Sequence, residues 1–102
     1  MKAIAIKGML VHLCDIKNDE KAFRHAVGGI LEHIKLRDDA MMICDRDAQN
    51  SGKAYNALAS LIAGTAVYGS AFILGYEDGE YCDPPESFVI LLTMRMDEDE
   101  QT

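Results

Sequence analysis

Alternating apolar and polar residues predict that much of this chain is β-structure. The alternating segments are separated by turn residues such as Lys7-Gly8, a pattern typical of antiparallel strands and hairpins. The predicted strands are Lys2 to Ile6, Met9 to Ile16, Ile30 to Leu36, Ala40 to Cys44 and Thr65 to Tyr76. The last segment is either one long strand or two strands broken at Gly69, and the turn Glu77 to Glu80 follows it.

Helical spacing of apolar residues replaces alternation in two segments. The first helix is predicted from Asp19 to Val27, with Asn18 or Asp19 as its N-cap. The pair Gly28-Gly29 ends it, because glycine accepts the left-handed conformation found at helix ends. The second helix is predicted from Lys53 to Ile62, and the polar residues before it form a loop.

The C-terminal third ends in an apolar segment, Ser87 to Met96, that fits either a buried helix or a last strand. The preceding Asp83-Pro84-Pro85-Glu86 has the spacing of a helix start and favours the helix. We therefore predict a single small α+β domain over residues 1–96, with an acidic tail at 97–102. Its sheet is expected to be mostly antiparallel, with four to six strands and two or three helices.

Length and charge narrow the function classes. The chain has 102 residues and a formal net charge of −7, which suits one domain and repels phosphate at long range. Direct nucleic-acid binding is therefore not expected, whereas the acidic charge suits a basic partner protein. No membrane span is expected either, because the longest apolar stretches are too short for one. The cysteines Cys14, Cys44 and Cys82 are odd in number and widely spaced, which favours a reducing, cytoplasmic compartment.

Several segments, in order, resemble those of a family of small uncharacterised domains encoded by bacteriophages and other mobile elements. The segments are Ala26-Val27-Gly28-Gly29-Ile30-Leu31-Glu32, Met42-Ile43-Cys44-Asp45, Asn56-Ala57-Leu58-Ala59, Ala63-Gly64-Thr65-Ala66-Val67, Phe72-Ile73-Leu74-Gly75 and Asp78-Gly79-Glu80-Tyr81. The resemblance is clearest from Ala26 to Gly75. It implies a setting inside a bacterial host cell and transfers no activity.

Five residues are candidates for ligand or partner binding: Glu32, Arg46, Lys53, Tyr55 and Asn56. Glu32 alternates with Ile30 and Ile34, and a carboxylate on an apolar face is costly unless it is paired or functional. The alternative is that the strand twists or ends there and leaves Glu32 solvated. Tyr55-Asn56, with Arg46 and Lys53 nearby, suits recognition of a small polar ligand. The alternative is that Tyr55 is a packing aromatic and Asn56 a helix cap.

Two further patterns suggest chemistry less specifically. His12 and Cys14 share one strand face, as zinc ligands or a nucleophile and base would. Asp38, Asp39, Asp45 and Asp47 crowd the middle of the chain and would permit an acid–base pair, although ordinary solvated turns are the favoured explanation. No metal site, cofactor or catalytic residue is predicted, and no nucleotide-binding glycine motif is present.

The expected function is therefore non-enzymatic: a phage or mobile-element accessory protein that inhibits a bacterial defence system, as an anti-CRISPR or anti-restriction protein does, by binding a host effector. One alternative is an oligomeric sponge for a small signalling nucleotide, held by some of Arg24, Arg37, Arg46, Lys53 and Arg95. Another is a small enzyme of unknown reaction. The apolar run Phe88 to Leu92 is long for one copy to bury, which predicts a homo-oligomer.

Overall fold

The computed structural model describes residues 1–92. In chain order its strands and helices are β1 (Lys2–Lys7), β2 (Leu10–Asp15), α1 (Glu20–Val27), β3 (Leu31–Arg37), β4 (Ala40–Asp45), α2 (Ala57–Ala63), β5 (Ala71–Glu77) and β6 (Glu80–Cys82). Residues 86–92 form a further helix, here α3.

All six strands belong to one antiparallel sheet. Its order is β2-β1-β5-β4-β3, and β6 pairs with β5 as well. The pairs β1–β2, β3–β4 and β5–β6 form hairpins, and β5 lies between β1 and β4. Within the described residues this confirms the prediction of an α+β fold with a mostly antiparallel sheet of four to six strands and two or three helices.

The sheet is covered by helices on both faces. Strand alternation directs Ile4, Ile6 and Met42 to the face that α2 and α3 cover, where they are fully buried. The opposite face carries Ala3, Ala5, Ile43, Phe72 and Leu74, and α1 covers part of it with Phe23 and Val27. Each large aliphatic side chain buried in this way stabilises the fold by roughly 1.5–3 kcal/mol.

Local capping signals place α1 as the sequence predicts. Asp19 is the N-cap, and its Oδ1 accepts a hydrogen bond from the amide of Ala22 at 2.7 Å. Gly28 ends the helix at φ 73°, in the left-handed region.

The turn that joins β5 to β6 also has the backbone that its residues favour. Asp78 and Gly79 both have positive φ, as a two-residue hairpin turn requires.

Helix α2 is shorter than predicted. The sequence indicated a start at Lys53, but the helix begins at Ala57, because Asn56 is its N-cap and adopts an extended backbone. Tyr55 is excluded from the helix since it forms a β-bridge with Tyr68. The predicted start was wrong because this pairing is tertiary and leaves no mark in the local spacing.

The strand predictions also need three corrections. Of the segment Thr65 to Tyr76, only the part from Ala71 belongs to a strand, and it runs on to Glu77. Asp45 was assigned to a loop, but it is the last residue of β4 and is buried. The short strand β6 was not predicted, because the turn signal of Glu77 to Glu80 hid its first residue.

The ambiguous C-terminal segment is helical as far as it is described. Residues 86–92 form α3, as the helix prediction required, while residues 93–96 and the predicted acidic tail lie outside the described part. Phe88, Val89 and Leu92 pack towards the sheet. Within residues 1–92, every helix is too short or too polar to cross a bilayer.

Candidate functional site

A buried ion pair joins β4 to the loop before α2. Asp45 is 97% buried as a side chain, and its Oδ2 lies 2.7 Å from Nζ of Lys53, whose side chain is 29% exposed. Lys53 also donates to the carbonyls of Val27 and Gly28, at 3.1 and 3.0 Å, so it holds the C-terminal end of α1. Lys53 is therefore engaged in contacts within the chain, and its role in ligand or partner binding stays a prediction.

The carboxylate of Asp45 is stabilised in its charged form. Its Oδ1 accepts hydrogen bonds from the backbone amides of Ile30 and Asp47, at 2.9 and 3.0 Å. Burial by itself raises the pKa of Asp45, but the hydrogen bonds from Lys53 and these amides outweigh it and hold the pKa below the ordinary aspartate value. A fully hydrogen-bonded, ionised carboxylate of this kind positions the backbone around it.

The glycine pair after α1 is explained by the same carboxylate. A Cβ atom added to Gly29 would overlap the carboxylate of Asp45, so only glycine permits this approach. The sequence predicted that Gly28-Gly29 ends the helix. Gly28 does so, whereas Gly29 lies against the side chain of Asp45.

Glu32 and Arg46 lie together at the surface. Nε of Arg46 is 3.7 Å from Oε2 of Glu32, and the two side chains are 66% and 38% exposed. Glu32 points to the same face as the half-buried Ile34, as alternation predicted. Glu32 is therefore tolerated on this apolar face because it lies at the margin of the core, where it pairs with Arg46 and both side chains reach solvent.

Asn56 and Tyr55 are separated in role although they are adjacent. Asn56 is 2% exposed; its Oδ1 caps α2 through the amide of Ala59 at 3.1 Å. Its Nδ2 donates to the carbonyls of Ile6 and Gly69, at 3.0 and 2.8 Å. Tyr55 is 55% exposed and packs edge-on against Tyr68, with ring centroids 5.4 Å apart. The alternative of a cap and a packing aromatic therefore fits both residues.

The four aspartates do not form one site. Asp38 and Asp39 precede β4, whereas Asp45 and Asp47 lie at its other end, roughly 20 Å away at the usual rise per residue. Asp39 pairs with Arg37, and Asp45 is committed to Lys53. An acid–base pair that draws on both groups is thus excluded by distance.

A cleft that the sequence indicated only in part opens between α1 and β2. We call it the α1–β2 cleft; its volume is about 340 Å³. Its lining residues are Lys7, His12, Cys14, Asp15, Ile16, His25, Ala26 and Phe72. Strand alternation predicted that His12 and Cys14 share a face, but the approach of His25 from α1 is tertiary.

The thiol in this cleft is not activated. Burial raises the pKa of Cys14, so the thiol is protonated near neutral pH and is a poor nucleophile. In the described part of the chain, no three His, Cys, Asp or Glu side chains are placed to hold a metal ion. The remaining polar groups of the cleft include the imidazoles of His12 and His25 and the ammonium group of Lys7, which can donate hydrogen bonds to a bound molecule.

A second surface feature lies where the β3–β4 and β5–β6 turns meet. Asp39, Glu77 and Asp83 surround Cys82 in an open cleft of about 380 Å³. We call this surface, with Asp78 and Glu80 of the adjoining turn, the acidic end. Burial raises the pKa of Cys82, and the negative charges of the three surrounding carboxylates raise it further.

Comparison with protein families shows which family the chain belongs to. The model of the family described as "Domain of unknown function (DUF3846)" matches residues 1–96. The chain belongs to this family. No curated protein and no solved structure matches it.

The DUF3846 match agrees with the resemblance to a small uncharacterised domain family. It includes every strand and helix of the described structure, so both the α1–β2 cleft and the acidic end are parts of the family domain. The family description assigns no activity, and the function has to be argued from the geometry of these two surfaces.

Proposed function

We propose that this DUF3846 domain is a non-enzymatic inhibitor that binds a basic surface of a bacterial defence effector through its acidic end. The phage or mobile-element origin is part of the proposal and is supported by the sequence resemblance. The single observation that carries the binding mode is the gathering of Asp39, Glu77 and Asp83 around one cleft. Such a field attracts a cationic surface and repels nucleic acid.

The acidic end is a preformed surface. Register pairs Glu77 with Glu80 across the β5–β6 turn, and Tyr76 donates its amide to the carbonyl of Asp39 at 3.0 Å. The sheet therefore fixes the backbone of these turns, which needs little ordering when a partner binds. Preorganisation of this kind lowers the entropic cost of association.

The charges of the acidic end are only partly balanced. Arg37 pairs with Asp39, and the backbone amide of Lys2 donates to Oδ1 of Asp83 at 2.7 Å. In the described residues, no ion pair involves Glu77 or Glu80, and both are exposed. These two carboxylates are the ones we expect to contact Lys or Arg side chains of a partner.

The nucleotide-sponge alternative receives little support from the cations that the sequence analysis named for it. Arg24, Arg37, Arg46 and Lys53 each lie beside a carboxylate: Glu20, Asp39, Glu32 and Asp45. The remaining candidate, Arg95, lies outside the described residues. A cation already neutralised by its own protein is a weaker phosphate ligand.

The small-enzyme alternative would need an activated group. The cleft holding His12 and Cys14 is the best place for one, but the raised pKa of the thiol argues against nucleophilic catalysis there. We therefore retain the non-enzymatic proposal.

The test compares two double variants of equal charge. Glu77→Gln/Glu80→Gln removes two carboxylates from the acidic end, and Glu20→Gln/Asp47→Asn removes two elsewhere. Each chain is expressed in bacteria that carry a CRISPR or restriction system, and phage plaquing efficiency is measured. The proposal expects wild type and the second variant to raise plaquing, and the first variant to lose most of the effect.

Binding to the purified effector provides the physical measurement. We expect the acidic-end variant to bind about tenfold more weakly, mainly through a slower association rate, and the salt dependence of wild-type binding to be steep. If wild type gives no protection against any defence system tried, the defence role is wrong. If both variants lose binding equally, the acidic end is not the contact surface.

A further inference from the structure

We propose that the α1–β2 cleft binds a small organic phosphate monoester, with Lys7, His12 and His25 as donors to the phosphate and Phe72 beneath its apolar part. This site is separate from the acidic end and does not depend on the proposed inhibitor function.

The cleft exists because helix α1 covers only part of this face of the sheet. Helix α1 packs over β4 and β3, whereas β2 lies at the opposite edge of the sheet, so this face of β2 is not covered by the helix. On the intervening β1, Ala5 is in register with His12 on one side and Phe72 on the other. Its methyl group leaves a depression between two longer side chains.

The donors at this cleft have no acidic partners. In the described part of the chain, Lys7 forms no ion pair, and its Nζ lies over the Phe72 ring at 5.8 Å from the centroid. His12 and His25 are exposed, and neither makes a hydrogen bond to another described residue. A chain with net charge −7 thus keeps three cation-capable donors unneutralised at one depression.

The other polar lining groups do not prevent an anion from binding. Asp15 is at the rim, but its carboxylate pairs with Nζ of Lys2 at 2.8 Å, and this hydrogen bond and charge lower its pKa. Burial raises the pKa of Cys14, which keeps its thiol protonated and therefore neutral. The hydrogen-bond donors that an incoming anion meets are therefore Lys7 and the two imidazoles.

The arrangement of donors favours phosphate over carboxylate. Lys7, His12 and His25 come from β1, β2 and α1, so they approach from different sides of the cleft. A phosphate monoester offers three terminal oxygens to such donors, whereas a carboxylate offers two in one plane. Phe72, Ile16 and Ala26 provide apolar surface for the organic group, which inorganic phosphate lacks.

The test uses phenyl phosphate as the probe with isotope-labelled full-length protein. Amide chemical shifts are followed by NMR while the probe is titrated into the millimolar range. The same titration is made with benzoate, inorganic phosphate and benzyl alcohol. We expect saturable shifts confined to residues around Lys7, His12, Cys14 and His25, with phenyl phosphate binding most tightly.

Lys7→Gln and Lys21→Gln form a matched pair, because both remove an exposed lysine that has no ion-pair partner in the described residues. Loss of one charge-assisted hydrogen bond should weaken phenyl phosphate binding by about tenfold in Lys7→Gln and leave it unchanged in Lys21→Gln. The amide spectrum itself reports whether each variant is folded.

Three results would overturn the proposal. Scattered or non-saturating shifts would mean that the cleft is not a site. Equal weakening by both lysine variants would mean that only net charge matters. Benzoate or benzyl alcohol binding as tightly as phenyl phosphate would exclude recognition of a phosphate monoester.

Discussion

At the scale of single residues, the two Lys/Arg–carboxylate contacts near β4 differ mainly in burial. We expect Lys53→Met to destabilise the fold by about 2–4 kcal/mol, because it leaves the carboxylate of Asp45 buried without its cation. Arg46→Met removes an exposed partner of Glu32 and should cost less than about 1 kcal/mol. Urea denaturation of both variants measures the difference.

This pair of variants is a matched comparison, since each replaces one long cation by methionine and changes the net charge equally. Similar losses of stability in the two would contradict the structural role given to Lys53. A loss confined to Lys53→Met would show that this residue stabilises the fold through its contact with Asp45.

The stability that Asp45 contributes should depend on pH. Its folded-state pKa lies below the ordinary value of about 3.9 for an unfolded chain, so protonation favours unfolding. The contribution is present above that value and is lost as the pH falls through the lower folded pKa. Wild type should therefore exceed Asp45→Asn in unfolding free energy near neutral pH, and the gap should narrow below about pH 4.

The measurement is a series of urea titrations of both proteins from about pH 7 to about pH 3. Groups that titrate alike in the two proteins cancel in the difference. A gap that stays constant across the whole range would show that Asp45 does not gain stability from being ionised.

The candidate residues show what sequence can and cannot predict at this scale. Alternation placed Glu32 on the correct face of β3, because side-chain direction in a strand depends on local geometry alone. The burial of Asp45 was missed because Lys53 and the amide of Ile30 reach it only after the chain folds. The polar residues that follow Asp45 are typical of a surface loop, so nothing in the local sequence indicates that its carboxylate is buried.

At the scale of helices and strands, Asn56 joins three segments through one side chain. It caps α2 and donates to the carbonyls of Ile6 on β1 and Gly69 before β5. Asn56→Asp keeps the capping acceptor but replaces the donors by a buried charge, and should cost about 2–4 kcal/mol. Thermal and urea unfolding measure the loss.

The control is the reverse exchange at the other capped helix. Asp19→Asn changes the N-cap of α1, where only the acceptor is used and either residue caps well, so it should cost a few tenths of a kcal/mol. If Asn56→Asp is equally mild, the two amide donor bonds do not contribute to stability.

Elements whose signals are local were predicted well. The α1 cap, its glycine end and the hairpin turns depend on residues a few positions apart, and their bounds differ from the prediction by one or two residues. The start of α2 was wrong because Tyr55 pairs with Tyr68, thirteen residues later. The α1–β2 cleft was seen only as the pair His12 and Cys14, since His25 joins it through packing.

At the scale of the whole molecule, charge and apolar surface have opposite effects on association. The net charge of −7 makes copies repel one another, and the acidic end concentrates part of that charge. On α3, Phe88 and Leu92 face the core, whereas Leu91 remains 70% exposed and Ile90 46% exposed. A second copy could cover this apolar strip.

The homo-oligomer expected from the apolar run Phe88 to Leu92 remains a prediction, and its test uses Leu91. We expect light scattering at micromolar concentration to give a mass above 11.3 kDa, and added salt to raise it by screening repulsion between acidic copies. Leu91→Gln should lower the mass to that of one chain, because it removes exposed apolar area from α3. Leu10→Gln, which changes a leucine that is 63% exposed on β2, should leave it unchanged. A monomeric wild-type mass both with and without added salt would contradict the prediction of a homo-oligomer. Equal effects of the two variants would contradict an interface on α3.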